Sequence, residues 1–239
     1  PHVVEIIGAP LDLGANKRGA NIAPATVRIA GLADKLASLG ISAIDSGDVA
    51  VPLRETLGPE AAAERYLRVI TDVCNGLFER VQRSLGAGRF PLVIGGDHSV
   101  GIGTIKGAAD YWYQQGGQLG LIWVDAHGDM NTPSSSPSGN VHGMPLAALL
   151  GTEPEELANI GSFSPTVSPE HTVLVGIRNL DDREKQVMGY AARGWSNKTI
   201  GYHLGLSSST VATMKPPVRR SARPSSSRIA CDSCTPPPM

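Results

Sequence analysis

Short apolar runs return at intervals along the first three quarters of the chain. VVEIIG occupies 3–8, PLVIG 91–95, LGLIWV 119–124 and TVLVG 172–176. Runs this short and rich in Val, Ile and Leu fit strands buried on both faces, as in a parallel sheet. ISAIDSGDV, at 41–49, reads as a further strand with its exit loop. Longer segments with helical spacing lie between them. Residues 24–39 open on Pro24, favourable at a helix start, repeat Val27, Leu32 and Leu36 at near-helical spacing and stop at Gly40. Residues 59–86 carry Tyr66, Val69, Ile70, Val73, Leu77 and Val81 on one side. Residues 99–115 and 142–150 read as two more helices. The alternation predicts a three-layer α/β/α fold with a mostly parallel sheet. In such sheets ligands bind beyond the carboxyl ends of the strands.

A chain of 239 residues holds one such domain with room for a small appendage. Aromatic residues are only 5% of it, so the core must be aliphatic. The net charge of -1 argues against a nucleic-acid binder along the whole length. No stretch is apolar enough to span a bilayer, and the first residues lack a charged-then-apolar leader. Cys74 sits alone in a helical pattern, and Cys231 and Cys234 form a Cys-x-x-Cys with no second ligand pair for zinc. Without a disulfide framework, a reducing, cytoplasmic setting is expected, with no membrane partner.

Two strands run into metal-ligand residues. VDAHGD spaces Asp125, His127 and Asp129 at i, i+2 and i+4, which in extended chain point to one face. GGDHS ends another strand on His98, and parallel strands ending at one edge would bring it to the other three. Gly95 and Gly96 would let the backbone turn sharply there. Carboxylate and imidazole without thiolate suit Mn²⁺ or another borderline divalent ion. The structural alternative is that Asp97 and His98 cap the helix beginning near Ser99.

GGDHS, DAHGDMN and SGNVHGMP resemble signature blocks of the arginase (ureohydrolase) family. APLDLGANKRGANIAP resembles that family's N-terminal loop and VLVGIRNLDDRE its later strand. The likeness runs from about residue 3 to 184 with the motifs in order. It implies hydrolysis of L-arginine to L-ornithine and urea on two Mn²⁺ ions. It implies His98, Asp125, His127 and Asp129 as the metal ligands, with Asp129 counted also in the catalytic set. His142 matches a proton-shuttling histidine. Asn131, Ser138 and Asn140 match positions that hold the substrate's amino-acid end, and Asp181 a carboxylate near its α-amino group. The partners so implied are arginine and further copies of the chain, as a homo-oligomer.

One block of the family's pattern is missing. Its Asp-x-Asp pair, within a segment like SxDxDxxDP, supplies two more manganese ligands, and no such segment occurs here. Four ligands then stand where six serve two ions. One ion, or partial occupancy, is expected, catalysis is not assumed, and the sheet would keep an unpaired edge. In place of the block, DREKQVMGYAARGWSNKTIGYHLGLSSSTVATM resembles the LuxR-like helix-turn-helix, with Ser196 and Ser207 as N-caps. From Val187 on, seven basic residues face the lone acid Asp232. The expected organisation is a metal-binding domain over 1–184, a helix-turn-helix-like fragment over 185–215 and a disordered Pro/Ser/Arg tail over 216–239. The alternatives to a hydrolase are a DNA-binding regulator module fused to a metal-binding domain, and an inactive truncated product.

Overall fold

The computed structural model describes residues 3–178 together with Ser196, Lys198 and Thr199. In chain order the elements are β1 (Val3–Ala9), α1 (Ala23–Ile29), α2 (Leu32–Ser38), β2 (Ser42–Asp48), α3 (Pro59–Ala63), α4 (Leu67–Gly86), β3 (Phe90–Gly95), α5 (Val100–Gln114), β4 (Leu121–Val124), α6 (Pro145–Leu149), α7 (Glu155–Ala158) and β5 (Thr172–Val175). Among the described residues every strand pairing is parallel, as the apolar runs require. The strands form two pieces, one in the order β2-β1-β3 and one of β4-β5. The α/β class stands; the sheet is interrupted between β3 and β4.

The larger piece has the deeper core. Ile7 and Ala9 of β1, with Leu11 beyond it, bury against Ile70, Val73, Cys74 and Leu77 of α4 and Ile102 of α5. The α4 residues recur every three or four positions, so they form one stripe facing the sheet. A second cluster joins Leu121 and Trp123 of β4 to Met130, Leu146, Leu149 and Val167. Among the described residues only one face of its sheet is covered: Ile122 is 71% and Val124 73% exposed, and Val173 and Val175 are exposed beside them.

Lys106 of α5 is fully buried and links the second region to the first. Its Nζ donates to the Ala158 carbonyl at 2.8 Å and to Thr166 Oγ1 at 2.6 Å. Burial, with no carboxylate in direct contact, lowers its pKa to about 8.

Three expected helices are broken, each for a local reason. The 24–39 segment divides at Gly31, whose φ of 82° is a left-handed value that glycine adopts without steric cost. The 59–86 segment divides at Arg65 and Tyr66, with φ of 52° and 58°. The 142–150 segment begins as a 3₁₀ turn, Val141–Gly143, and α6 starts at Pro145, where the missing N–H leaves no helical bond unmade.

Asp181, Ser207, Cys231, Cys234 and the 216–239 tail lie outside the described residues. So does the helix-turn-helix-like fragment, apart from three positions. Lys198 and Thr199 are helical there, and the Thr199 N–H donates to Ser196 Oγ at 3.1 Å, the bond expected of an N-cap.

Candidate metal centre

β3 and β4 do not pair, yet their carboxyl ends meet. The His98 and Trp123 rings stack with centroids 4.4 Å apart. His98 Nδ1 lies 2.9 Å from Asp125 Oδ2 and 2.6 Å from Asp129 Oδ2. The single proton that this nitrogen can carry cannot serve two carboxylates. Asp129 Oδ2 is in fact buried without a hydrogen-bonding partner among the described residues, its short contact lacking the necessary alignment. An orphaned anionic oxygen is costly in a protein interior. Two carboxylates and one imidazole, with donor atoms all within 4.8 Å of one another, suit a divalent cation. The residues present therefore fit a manganese-type ion.

The electrostatics agree. Burial alone would lower the His98 pKa, but contact with Asp129 and the charges of Asp129, Asp125 and Asp97 hold it above its ordinary value. Burial pushes the Asp125 carboxyl up; the His127 N–H and the His98 and His127 imidazoles outweigh it and hold the carboxyl below the usual range. Each group is thus biased toward charge by its neighbours, a pattern that an ion replaces when it displaces the imidazole proton.

His127 stands outside the converged set. Its side chain is 63% exposed, with Nδ1 3.2 Å from the other oxygen of Asp125. The even spacing of three ligands on one extended face is lost because β4 ends at Val124. The His127 N–H donates back to Asp125 Oδ1 at 2.8 Å, which curls the chain, and Asp129 has a φ of 49°. Asp129 swings toward His98 as a result, while His127 swings away.

The segment after β4 is pinned to the start of α6. Leu146 N–H donates to the Asp129 carbonyl at 2.9 Å, and Asn131 N–H to the Gly143 carbonyl at 3.1 Å. Half-buried His142 lies in this stretch, its own N–H on the Gly14 carbonyl at 3.1 Å. The 131–140 loop is internally bonded: Asn131 Oδ1 accepts from Ser135 Oγ, and Ser138 Oγ accepts the Asn140 N–H. Of these residues, Ser138 is exposed and Asn140 half-buried.

Asp97 does more than begin a helix. One oxygen accepts the Ser99 N–H at 3.0 Å, as a helix-start role predicts, while the other accepts the Gly14 N–H at 2.8 Å. Burial pushes its carboxyl pKa up against these bonds. Gly96 lets the two loops touch: a Cβ there would lie 1.7 Å from the Leu11 carbonyl oxygen. Gly96 thus supplies room for a neighbouring backbone and Gly95, at the end of β3, for the Val100 side chain, and neither residue has positive φ. No spacing in the sequence announces this Asp97–Gly14 clamp, which joins residues 83 positions apart.

The chain is similar to known proteins over most of its length. The profile of the arginase family matches residues 2–202. The arginase of Bacillus caldovelox is 44% identical over 184 residues, covering 77% of this chain and 60% of that protein. The arginase of Brevibacillus brevis is 43% identical over 185 residues, with the same coverage. The chain thus spans about 60% of the length of these curated relatives. Among solved structures, native Bacillus caldovelox arginase at pH 5.6 superposes with a TM-score of 0.72 at 40% identity, over 86% of this chain and 68% of that one. Entamoeba histolytica arginase in complex with L-ornithine gives 0.69 at 28% identity, over 85% and 71%.

Proposed function

The chain belongs to the arginase family, and on that premise we propose that it acts as a manganese-dependent amidinohydrolase, converting L-arginine and water to L-ornithine and urea. The observation that carries this is the meeting of His98, Asp125 and Asp129 around an orphaned carboxylate oxygen. These three would hold one ion, with His127 a fourth ligand after a side-chain rotation. A divalent ion held there makes water acidic enough to supply a nucleophile near neutral pH.

The remaining roles belong to the protein's own side chains. His142 would pass a proton to the departing amine, a general-acid task suited to an imidazole. Asn131, Ser138 and Asn140 offer neutral hydrogen-bonding groups to a carboxylate. Asp181, outside the described residues, is assigned to the α-amino group. The missing Asp-x-Asp block puts the expected occupancy at one ion.

The test is urea release from L-arginine at saturating Mn²⁺. Activity that Asp129→Ala and His127→Ala abolish supports the proposal; no urea from the folded wild-type chain refutes it. A second reading, a DNA-binding module over 185–215, is favoured by the Ser196 cap. It requires salt-sensitive duplex binding that is lost when 186–239 are deleted.

A further inference from the structure

A cavity of about 300 Å³ lies away from the metal centre, lined by Glu5, Ser46, Arg80, Arg83, Ser84 and Arg89. Glu5 belongs to β1 and is only 7% exposed, an acid inside an otherwise apolar strand. Both of its oxygens are occupied. Ser46 Oγ donates to Oε1 at 2.6 Å and Arg89 Nη1 to Oε2 at 3.1 Å. Burial pushes the Glu5 carboxyl up; these two donors, with Ser84 nearby, hold it below its usual range. Glu5 is thus anionic and matched by Arg89. Arg80 and Arg83 are left over. Among the described residues neither has a carboxylate within 4.0 Å, whereas Arg18, Arg28, Arg68 and Arg89 all do.

Ser46 joins the two parts of the wall: its hydroxyl is on Glu5, and its carbonyl accepts from Arg80 Nη2 at 2.6 Å. Arg83, one turn later on α4, has its Nε 3.4 Å from the Glu79 carbonyl. A basic residue in the last helical turn complements the helix dipole, and Arg83 can be read so. That role accounts for neither Arg80 nor Ser84. Ser84 is 1% exposed, and its Oγ makes no aligned hydrogen bond among the described residues. Buried hydroxyls are ordinarily bonded, and an unmade bond costs stability. Two uncompensated guanidiniums and an unsatisfied hydroxyl therefore line one concavity. Arginine forks pair with phosphoryl oxygens through charge-assisted hydrogen bonds. The volume is at the lower end of small-ligand pockets, about 300–1,000 Å³, so an organic group attached to the phosphoryl also fits.

We propose that this cavity binds a phosphoryl group, with Arg80 and Arg83 as charged donors, Ser84 as a neutral one, and Glu5, Ser46 and Arg89 as the frame that positions them. The hydrolase reading uses none of these residues. β3 is six residues long, so at about 3.3 Å per residue its ends lie ~20 Å apart, with Arg89 before one and His98 beyond the other. The ligand therefore binds the scaffold without touching the metal centre, and it stabilises the scaffold by mass action.

The experiment is calorimetric titration of the full chain, at constant ionic strength, with orthophosphate and with glycerol 3-phosphate. Binding should be saturable at one site per chain. Arg80→Gln and Arg83→Gln should each weaken it about tenfold, as for the loss of one charge-assisted contact. Arg68→Gln, which removes the same charge from the exposed start of α4, should change nothing. Ser84→Ala separates binding from folding. Without phosphate it should melt no lower than wild type, because the hydroxyl it removes is unpaired; its affinity for phosphate should fall roughly threefold. Tighter glycerol 3-phosphate assigns the site to a phosphate ester, and tighter orthophosphate to the free ion; either supports the proposal. A loss in Arg68→Gln equal to that in Arg80→Gln would show diffuse attraction to a basic surface and overturn it. So would the absence of saturable binding, or affinity unchanged in both Arg80→Gln and Arg83→Gln. Should an arginine variant fail to fold, undiminished affinity in Ser84→Ala overturns the proposal by itself.

Discussion

The β2-β1-β3 region and the β4-β5 region obey the same strand chemistry and differ in what covers them. Ile6, Ile7 and Ala9 of β1 are buried, with the long helix α4 packed against the same region. β4 and β5 are each four residues long and, among the described residues, leave Ile122, Val124, Val173 and Val175 open on one face. Stability follows buried apolar area, so the first region is the scaffold and the second the weaker partner. The candidate metal centre spans both, with His98 from the first and Asp125 and Asp129 from the second. An ion held by a set divided in this way would be a structural link between unequal halves.

Hydrogen exchange after core truncation should produce the largest effect and tests the comparison most directly. Leu77→Ala should cost about 3 kcal/mol and speed exchange throughout. Leu149→Ala, in the second cluster, should expose β4 and β5 amides while β1 amides keep their protection. If β1 and β4 amides lose protection together, the two regions are one cooperative unit and the comparison fails.

Next in size is the link itself. Mn²⁺ at a hundred times its Kd should stabilise the chain by about 2.7 kcal/mol, and Asp129→Ala should remove that gain. Denaturant titrations with and without Mn²⁺ measure it. An unaltered manganese effect in the variant would mean that the ion binds elsewhere.

A smaller effect should come from Lys106. Its pKa falls from 10.5 to about 8 on folding, mainly through burial. Between those values the unfolded chain holds a proton that the folded chain has released, so stability should rise with pH at roughly 1 kcal/mol per unit. Below pH 8 both states are protonated and this contribution is flat. Urea midpoints from pH 7 to 10 should show the rise in wild type and its loss in Lys106→Met.

The smallest change in stability should follow Ile122→Thr with Val124→Thr. On an open face such changes stay within about 0.5 kcal/mol each. Sedimentation should nevertheless show less self-association, because the apolar patch is interrupted. Unchanged association would place the contact surface elsewhere.

The legible parts of this protein were those set by local pattern. Parallel strands follow from the apolar runs, and the approach of His98 to Asp125 and Asp129 follows from two such strands ending on ligand residues. The departures come from single backbone choices that periodicity does not encode. The turn made by Asp125 on the His127 N–H points His127 away from the three converged groups. Two left-handed residues, Arg65 and Tyr66, interrupt a pattern that reads as continuous helix. Burial of Lys106 and the Asp97–Gly14 clamp depend on partners more than fifty residues away. The gap between β3 and β4 is equally invisible, since both read as buried strands.

The stacking of His98 on Trp123 gives the centre a built-in optical reporter. Of the two described tryptophans Trp123 is buried and Trp112 exposed, so their emission maxima should separate, and Trp195→Phe removes the third indole from the signal. In that variant the blue-shifted component belongs to the indole stacked on the His98 imidazole. Paramagnetic Mn²⁺ arriving there should dim that component selectively, so occupancy can be followed by intrinsic fluorescence without a substrate or a label.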